Sequence, residues 1–241
     1  MKVLDQAAVN AQLATATPQE IVAWAQATMG TDLLMSSSFG AESMCLIHMA
    51  IQAQPKLRII FVNTGFLFPE TLAFRQQLQT RFNLNVLEYQ PLHDPQAWLA
   101  QAHEPDPTQR QNIAACCAAN KNELFDRAMR EQKPLGWLRG VRADQTETRA
   151  KLQPVEWSAR YQCWAISPLL RWNNRTIHGY MTAHDLPYHP LWELGYTSIG
   201  CAPTSCTVPL TIGGDPRGGR WSGTDKRECG LHLDEPTPPQ S

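Results

Sequence analysis

Two short apolar runs, each ending in a polar turn that opens a helical stretch, constrain the fold of this chain most. The first is Leu33-Leu34-Met35, followed by Ser36-Ser37-Ser38-Phe39-Gly40 and then by residues 41–53, mostly apolar and free of Gly and Pro. The second is Arg58-Ile59-Ile60-Phe61-Val62, followed by the turn Asn63-Thr64-Gly65. Pro69 then stands where a helix can open, and Leu67, Thr71, Phe74, Leu78 and Phe82 recur at helical spacing. Further strands are expected at Asn85–Tyr89, 135–141 and 163–167. Helices are expected over Pro18–Met29 and 119–131, where Leu124, Phe125, Ala128 and Met129 share a face. Strands that alternate with helices predict an α/β fold, a parallel twisted sheet with helices on both faces.

At 241 residues and 43% hydrophobic content the chain is long enough to bury a full core without staples. A formal charge of -1 supplies no general field for nucleic acid or an acidic membrane, so an anion site must come from a few local Lys and Arg. Neither a signal peptide nor a run approaching the ~20 apolar residues of a membrane span is present, which points to the cytoplasm and to no membrane partner. After Thr207 the character changes. Gly213-Gly214, Gly218-Gly219 and Gly223 break up a polar stretch that ends in Pro236-Thr237-Pro238-Pro239, predicting a mobile C-terminal tail. The expected organisation is an N-terminal helical segment over 1–30, a main domain over 31–206 and the tail over 207–241.

In an open parallel sheet, ligands settle at the carboxyl ends of the strands, where helix N-termini offer unpaired N–H groups to anions. Ser36, Ser37, Ser38 and Gly40 are placed for that task. The loop lacks the Lys-Ser or Lys-Thr ending of the nucleotide triphosphatases and is no G-x-G-x-x-G fingerprint. Ser38-Phe39-Gly40-Ala41-Glu42-Ser43 resembles the S-x-G-x-(D/E)-S loop of the adenine-nucleotide alpha-hydrolase-like superfamily.

Seven cysteines in a reducing compartment suggest metal or thiol chemistry rather than a disulfide framework. Cys116-Cys117 and the later Cys201 and Cys206 supply four thiolates, the number that a 4Fe-4S cluster or a tetrahedral zinc requires. Cys229 lies in Lys226-Arg227-Glu228-Cys229-Gly230-Leu231-His232, where cationic neighbours favour the nucleophilic thiolate. Cys45 and Cys163 are expected to be inert core thiols. His48, His93, His103, His178, His184 and His189 show no metal-ligand spacing, and the Trp residues are expected to pack, with Trp221 beside Arg220 a candidate exception.

Together these motifs resemble the adenylyl-sulfate and phosphoadenylyl-sulfate reductases of assimilatory sulfate reduction, a family of cysteine biosynthesis. The similarity runs from about Ser36 to His232. Its pieces are the Ser-rich loop, the stretch from Val62 through Thr71, Cys-Cys-x3-Lys, the stretch from Gly140 through Arg149, Ser198-Ile199-Gly200-Cys201 and the segment around Cys229. The terminal Lys-Arg-Glu-Cys-Gly-Leu-His piece is the most specific.

The resemblance implies that Ser36, Ser37, Ser38 and Gly40 line a nucleotide pocket. It implies that Lys121, Arg142, Arg217, Arg220 and His232 surround the phosphosulfate, whose oxygens suit bidentate Arg. Cys229 would attack the sulfate sulfur, release AMP and carry a Cys-S-sulfonate that thioredoxin or a similar thiol donor resolves, with no organic cofactor. Members with these cysteines bind a 4Fe-4S cluster, here through Cys116, Cys117, Cys201 and Cys206, and mostly use adenylyl sulfate. The chain departs from the pattern in having four residues between Cys201 and Cys206 where the family has two, and Asn120 where a basic residue is usual. A C-x4-C pair still reaches two irons of one cluster in the plant-type ferredoxins. The alternatives are a phosphoadenylyl-sulfate reductase without a working cluster, an ATP pyrophosphatase or ligase on the same fold, and a non-catalytic iron-sulfur sensor. Phe39 weighs against the pyrophosphatase, which usually has a second Gly there. A homo-oligomer is compatible with all of them.

Overall fold

The computed structural model describes residues 4–101, 112–203, 206–210, 218–221 and 230–231. Cys229, Arg217 and His232 lie outside the described residues, as does most of the expected tail. A six-stranded sheet organises the rest, with strands β1 (Leu33–Ser36), β2 (Arg58–Val62), β3 (Asn85–Tyr89), β4 (Gly136–Leu138), β5 (Val155–Ser158) and β6 (Cys163–Ile166). Their spatial order is β3-β2-β1-β4-β6-β5. All neighbours are parallel except β5, which closes one edge as an antiparallel partner of β6, with Val155 opposite Ile166 and Ser158 opposite Cys163.

The strands alternate between two apolar clusters because successive side chains point to opposite faces. Leu33, Met35, Ile59, Phe61, Leu138 and Ile166 enter the larger cluster. It is covered by α1 (Gln6–Gln12), α2 (Pro18–Met29), α3 (Ser43–Ala53), α4 (Pro69–Phe82) and α9 (Asn174–Ala183). Leu34, Ile60, Trp137, Cys163 and Ala165 face the other way, onto α7 (Glu123–Gln132). A strand-helix α/β sheet covered on both faces is therefore what the chain forms.

The helix expected at 119–131 starts earlier: α6 (Ile113–Cys117) runs into a π-helical stretch, Ala118–Asn122, that continues as α7. Widening the turn at this point displaces the register of the side chains on either side of it, and such bulges gather at functional sites. Helix α2 begins where Thr17 and Glu20 form a capping box with Pro18 in the first turn. Two shorter helices complete the set: α5 (Pro95–Gln101), before the undescribed residues, and α8 (Glu147–Ala150), which follows β4.

From β1 the chain steps outward through β2 to β3 and then returns to β4 on the other side of β1. The loops after β1 and β4 thus diverge and leave a crevice at the carboxyl ends of the strands, where a doubly wound sheet takes its ligand.

Candidate active site

A cleft of about 260 Å³ opens at that crevice, lined by Ser36, Ser37, Ser38, Gly40 and Ser43 after β1 and by Gly140, Arg142, Gln145 and Arg149 after β4. The β1 loop reverses sharply through Phe39, a non-glycine residue at φ +49°. Its fully buried ring stands edge-on to Phe61, with ring centroids 5.4 Å apart. This packing offsets the cost of the left-handed backbone and fixes the turn. Three hydrogen bonds complete it: Trp137 Nε1 donates to Ser36 Oγ at 2.8 Å, Phe39 N to Ser37 Oγ at 3.1 Å, and Ser43 Oγ to Gly40 O at 2.7 Å. The N-terminus of α3 is thereby set at the cleft.

Arg142 lines the cleft but its guanidinium is already engaged. Nη1 donates to Glu42 at 2.8 Å, Nε lies 3.3 Å from Asp144, and Nη2 donates to Asn174. Burial raises the Glu42 carboxyl above its ordinary range, and the Arg142 charge opposes that rise. In this arrangement Arg142 holds the Ser-rich loop to the β4 loop and to α9.

Lys121 and Arg220 differ from Arg142: both line the cleft, and neither forms an ion pair with a carboxylate among the described residues. Lys121 is placed by the π-helical stretch. Arg220 is placed by three contacts. Its Nε donates to Cys206 O at 3.1 Å, its guanidinium lies 4.6 Å from the Trp221 ring centroid, and it rests against Gly200. A Cβ on Gly200 would fall 2.3 Å from Nη2, so the guanidinium occupies the space that only glycine leaves open.

The structure brings the four candidate metal-ligating cysteines together. Cys116, Cys117, Cys201 and Cys206 line one small cavity of about 20 Å³, and Thr64, Lys121, Arg220 and Trp221 border both it and the cleft. Thr64 Oγ1 is 3.3 Å from Cys201 Sγ, and Asn120 Nδ2 donates to Cys116 Sγ at 3.8 Å. Among the described residues, no group of three or more His, Cys, Asp or Glu side chains is arranged to hold a metal ion. The donor set itself, four thiols without a carboxylate or imidazole, suits an iron-sulfur cluster. Cys45 and Cys163 are fully buried elsewhere, and burial pushes the Cys45 thiol up to about 12.

Leu231, two residues after Cys229 in the chain, lies at this site. Leu231 is buried in the α7-side cluster and lines the cleft. Gly230 O accepts from Arg160 Nη1 at 3.0 Å, while Arg160 Nη2 donates to Asp126 at 2.8 Å.

The phosphoadenosine phosphosulfate reductase domain family matches residues 32–209. The chain belongs to this family. Among curated members, a phosphoadenosine 5'-phosphosulfate reductase of Gloeobacter violaceus is 38% identical, over 90% of this chain and 88% of that one. An adenosine 5'-phosphosulfate reductase of Bacillus cereus is 34% identical, over 88% of this chain and 89% of that one. The crystal structure of a phosphoadenylyl-sulfate reductase from Candida auris, a phosphate complex, shares the fold with a TM-score of 0.71 at 24% identity, covering 83% of this chain and 96% of that one. An FMN adenylyltransferase of Candida glabrata shares it more distantly, with a TM-score of 0.57 at 15% identity, over 88% of this chain and 73% of that one.

Several cleft residues of this family member were not singled out from the sequence. Arg149 and Gln145 lie in the same stretch as Arg142, and Arg149 Nη1 donates to Gln145 in the cleft wall. Glu42 and Asn174 give no sign of their part until the fold sets them against Arg142. Thr64 stands in the turn after β2 and carries a hydroxyl, the one available signal.

Proposed function

We propose that this chain is an adenylyl-sulfate reductase in which the cleft binds the nucleotide and Cys229 attacks the sulfate sulfur. As a member of its family it is an oxidoreductase of sulfate reduction acting on a sulfated adenine nucleotide. The observation that carries the finer reading is the meeting in one cleft of Lys121 and Arg220, which pair with no carboxylate among the described residues, with Leu231, two residues after Cys229. Anionic oxygens of phosphate and sulfate are the ligand such a pair suits.

In the proposed reaction, Ser36, Ser37, Ser38 and Gly40 hold the adenylate, and Lys121 and Arg220, joined by Arg217 and His232, neutralise the phosphosulfate. The Cys229 thiolate forms an S–S bond to the sulfate sulfur as the bond from that sulfur to the bridging oxygen breaks. AMP leaves with the bond's electron pair, giving Cys229-S-sulfonate. A donor thiolate, from thioredoxin or a similar dithiol, then attacks Cys229 Sγ and sulfite departs. The donor's second thiol resolves the mixed disulfide, so the donor is oxidised by two electrons and Cys229 returns as a thiol.

Cys116, Cys117, Cys201 and Cys206 are the residues proposed to hold a 4Fe-4S cluster. When bound, the cluster supplies a charge beside Lys121 and ties the α6–α7 helix to the loop at Cys201. This donor set favours adenylyl sulfate, following the resemblance. The proposed organisation places the nucleotide domain at 31–206, the helical segment at 1–30 on its core and the Cys229 tail at 207–241, working in the cytoplasm. Among the described residues no helix is long and apolar enough to cross a membrane.

A second reading, a phosphoadenylyl-sulfate reductase without a cluster, is favoured by the name of the Gloeobacter relative. Sulfite release with each nucleotide, under a thioredoxin system, separates the two. Turnover of adenylyl sulfate with a preference of tenfold or more supports the first reading, and turnover of the 3'-phosphorylated form alone overturns it.

A further inference from the structure

A buried pair behind the cleft, His189 and Thr71, has no part in the reaction described above. Both are about 1% exposed, and His189 Nε2 lies 3.0 Å from Thr71 Oγ1. The direction of that bond is fixed from the other side of the ring. Leu191 N–H donates to His189 Nδ1 at 3.1 Å, so Nδ1 carries the lone pair and the proton of the neutral imidazole sits on Nε2. His189 therefore donates to Thr71, and the Thr71 hydroxyl accepts. Burial holds His189 neutral, pushing it down to about 4.

The Thr71 hydroxyl proton then needs an acceptor. None is present among the described residues, although Thr71 is nearly inaccessible and stands in the lining of the cleft. A buried donor left without an acceptor carries a desolvation cost, which a ligand can relieve. The chemistry of the ligand atom follows from the surroundings. Thr71 N–H donates to Phe68 O, and Phe68 packs in the apolar cluster of Ala41, Leu191 and Ile199. The cations Lys121 and Arg220 line the same cleft and also border the cysteine cavity, and neither belongs to that apolar cluster. An apolar wall beside a neutral hydroxyl donor suits the flat face and ring nitrogens of a purine rather than a charged oxygen.

We infer that Thr71 is a base-recognition contact that donates its hydroxyl proton to a ring nitrogen of the bound adenine, and that His189 is the positioning residue that fixes its direction. This rests on the cleft being the adenylate site. Removing the Thr71 hydroxyl abolishes the discrimination against loss of one ligand atom, which a purely structural role does not produce.

The test measures dissociation constants of AMP and of its 1-deaza, 3-deaza and 7-deaza analogues, by calorimetry, for the parent, Thr71→Val and Thr71→Ser. One neutral hydrogen bond is worth about a fivefold change in affinity. The parent is expected to bind one deaza analogue about fivefold more weakly than AMP. Thr71→Val should bind AMP about fivefold more weakly and show no further loss with that analogue. Thr71→Ser, which keeps the hydroxyl, should behave as the parent, and it remains informative if the valine variant folds poorly. Equal analogue preferences in the parent and Thr71→Val, or unchanged AMP affinity in Thr71→Val, overturn the inference. A parent that binds no adenylate at all instead overturns the proposed function.

Discussion

Replacing Gly200 by alanine tests how Arg220 is placed without touching Arg220 itself. The added Cβ would stand 2.3 Å from Nη2 and 2.4 Å from both Cζ and Nη1. Ordinary carbon contacts lie at about 3.5 Å, so the guanidinium must withdraw by about 1 Å. Gly200 has no left-handed backbone to strain, and the atoms it meets are the far end of a flexible side chain, so stability should change by no more than about 1 kcal/mol. Activity is another matter. A charge-assisted hydrogen bond contributes about 1.5–3 kcal/mol, which corresponds to a roughly 10- to 150-fold fall in kcat/KM when it is lost from the transition state. Thermal melting and sulfite release from adenylyl sulfate measure the two quantities separately. A Gly200→Ala enzyme that keeps the parent's Tm and also its kcat/KM within twofold refutes the assignment of Arg220 to the phosphosulfate.

Anaerobically purified parent protein is expected to contain iron and acid-labile sulfide and to absorb broadly in the visible range, and Cys117→Ser or Cys201→Ser to lose both; a colourless parent with full activity rules out the cluster. The pH dependence of stability carries a signature of His189. Its folded pKa of about 4 lies below the ordinary 6.5, so the unfolded chain binds more protons between these values and stability falls as the pH drops through that window. The contribution is at most about 3 kcal/mol, and His189→Gln should remove that slope in chemical unfolding measured from pH 4 to 7.

The strands nearest the middle of the sheet were legible because they are continuous apolar runs, as strands buried on both faces must be. Val155-Glu156-Trp157-Ser158 was not, since an edge strand with one polar and one aromatic residue between its ends lacks that signature. No side-chain pattern announces the π-helical stretch at Ala118–Asn122, so the helix was expected to begin only at 119. At the site, the Ser-rich loop and the four cysteines were legible from residue type and spacing. The engagement of Arg142 by Glu42 and Asn174 was not, because those residues lie far from it in sequence and meet only through the fold. His189 has no metal-ligand spacing to mark it in the sequence, and its chemistry here is a directed hydrogen bond.

The most direct measurement is the mass of the protein after one turnover with adenylyl sulfate in the absence of any thiol donor. The account predicts one sulfonate group per chain, located on the peptide that contains Cys229, released as sulfite when a dithiol is added and absent from Cys229→Ser. Sulfite formation by Cys229→Ser at the parent's single-turnover rate, or a sulfonate found on another residue, contradicts it.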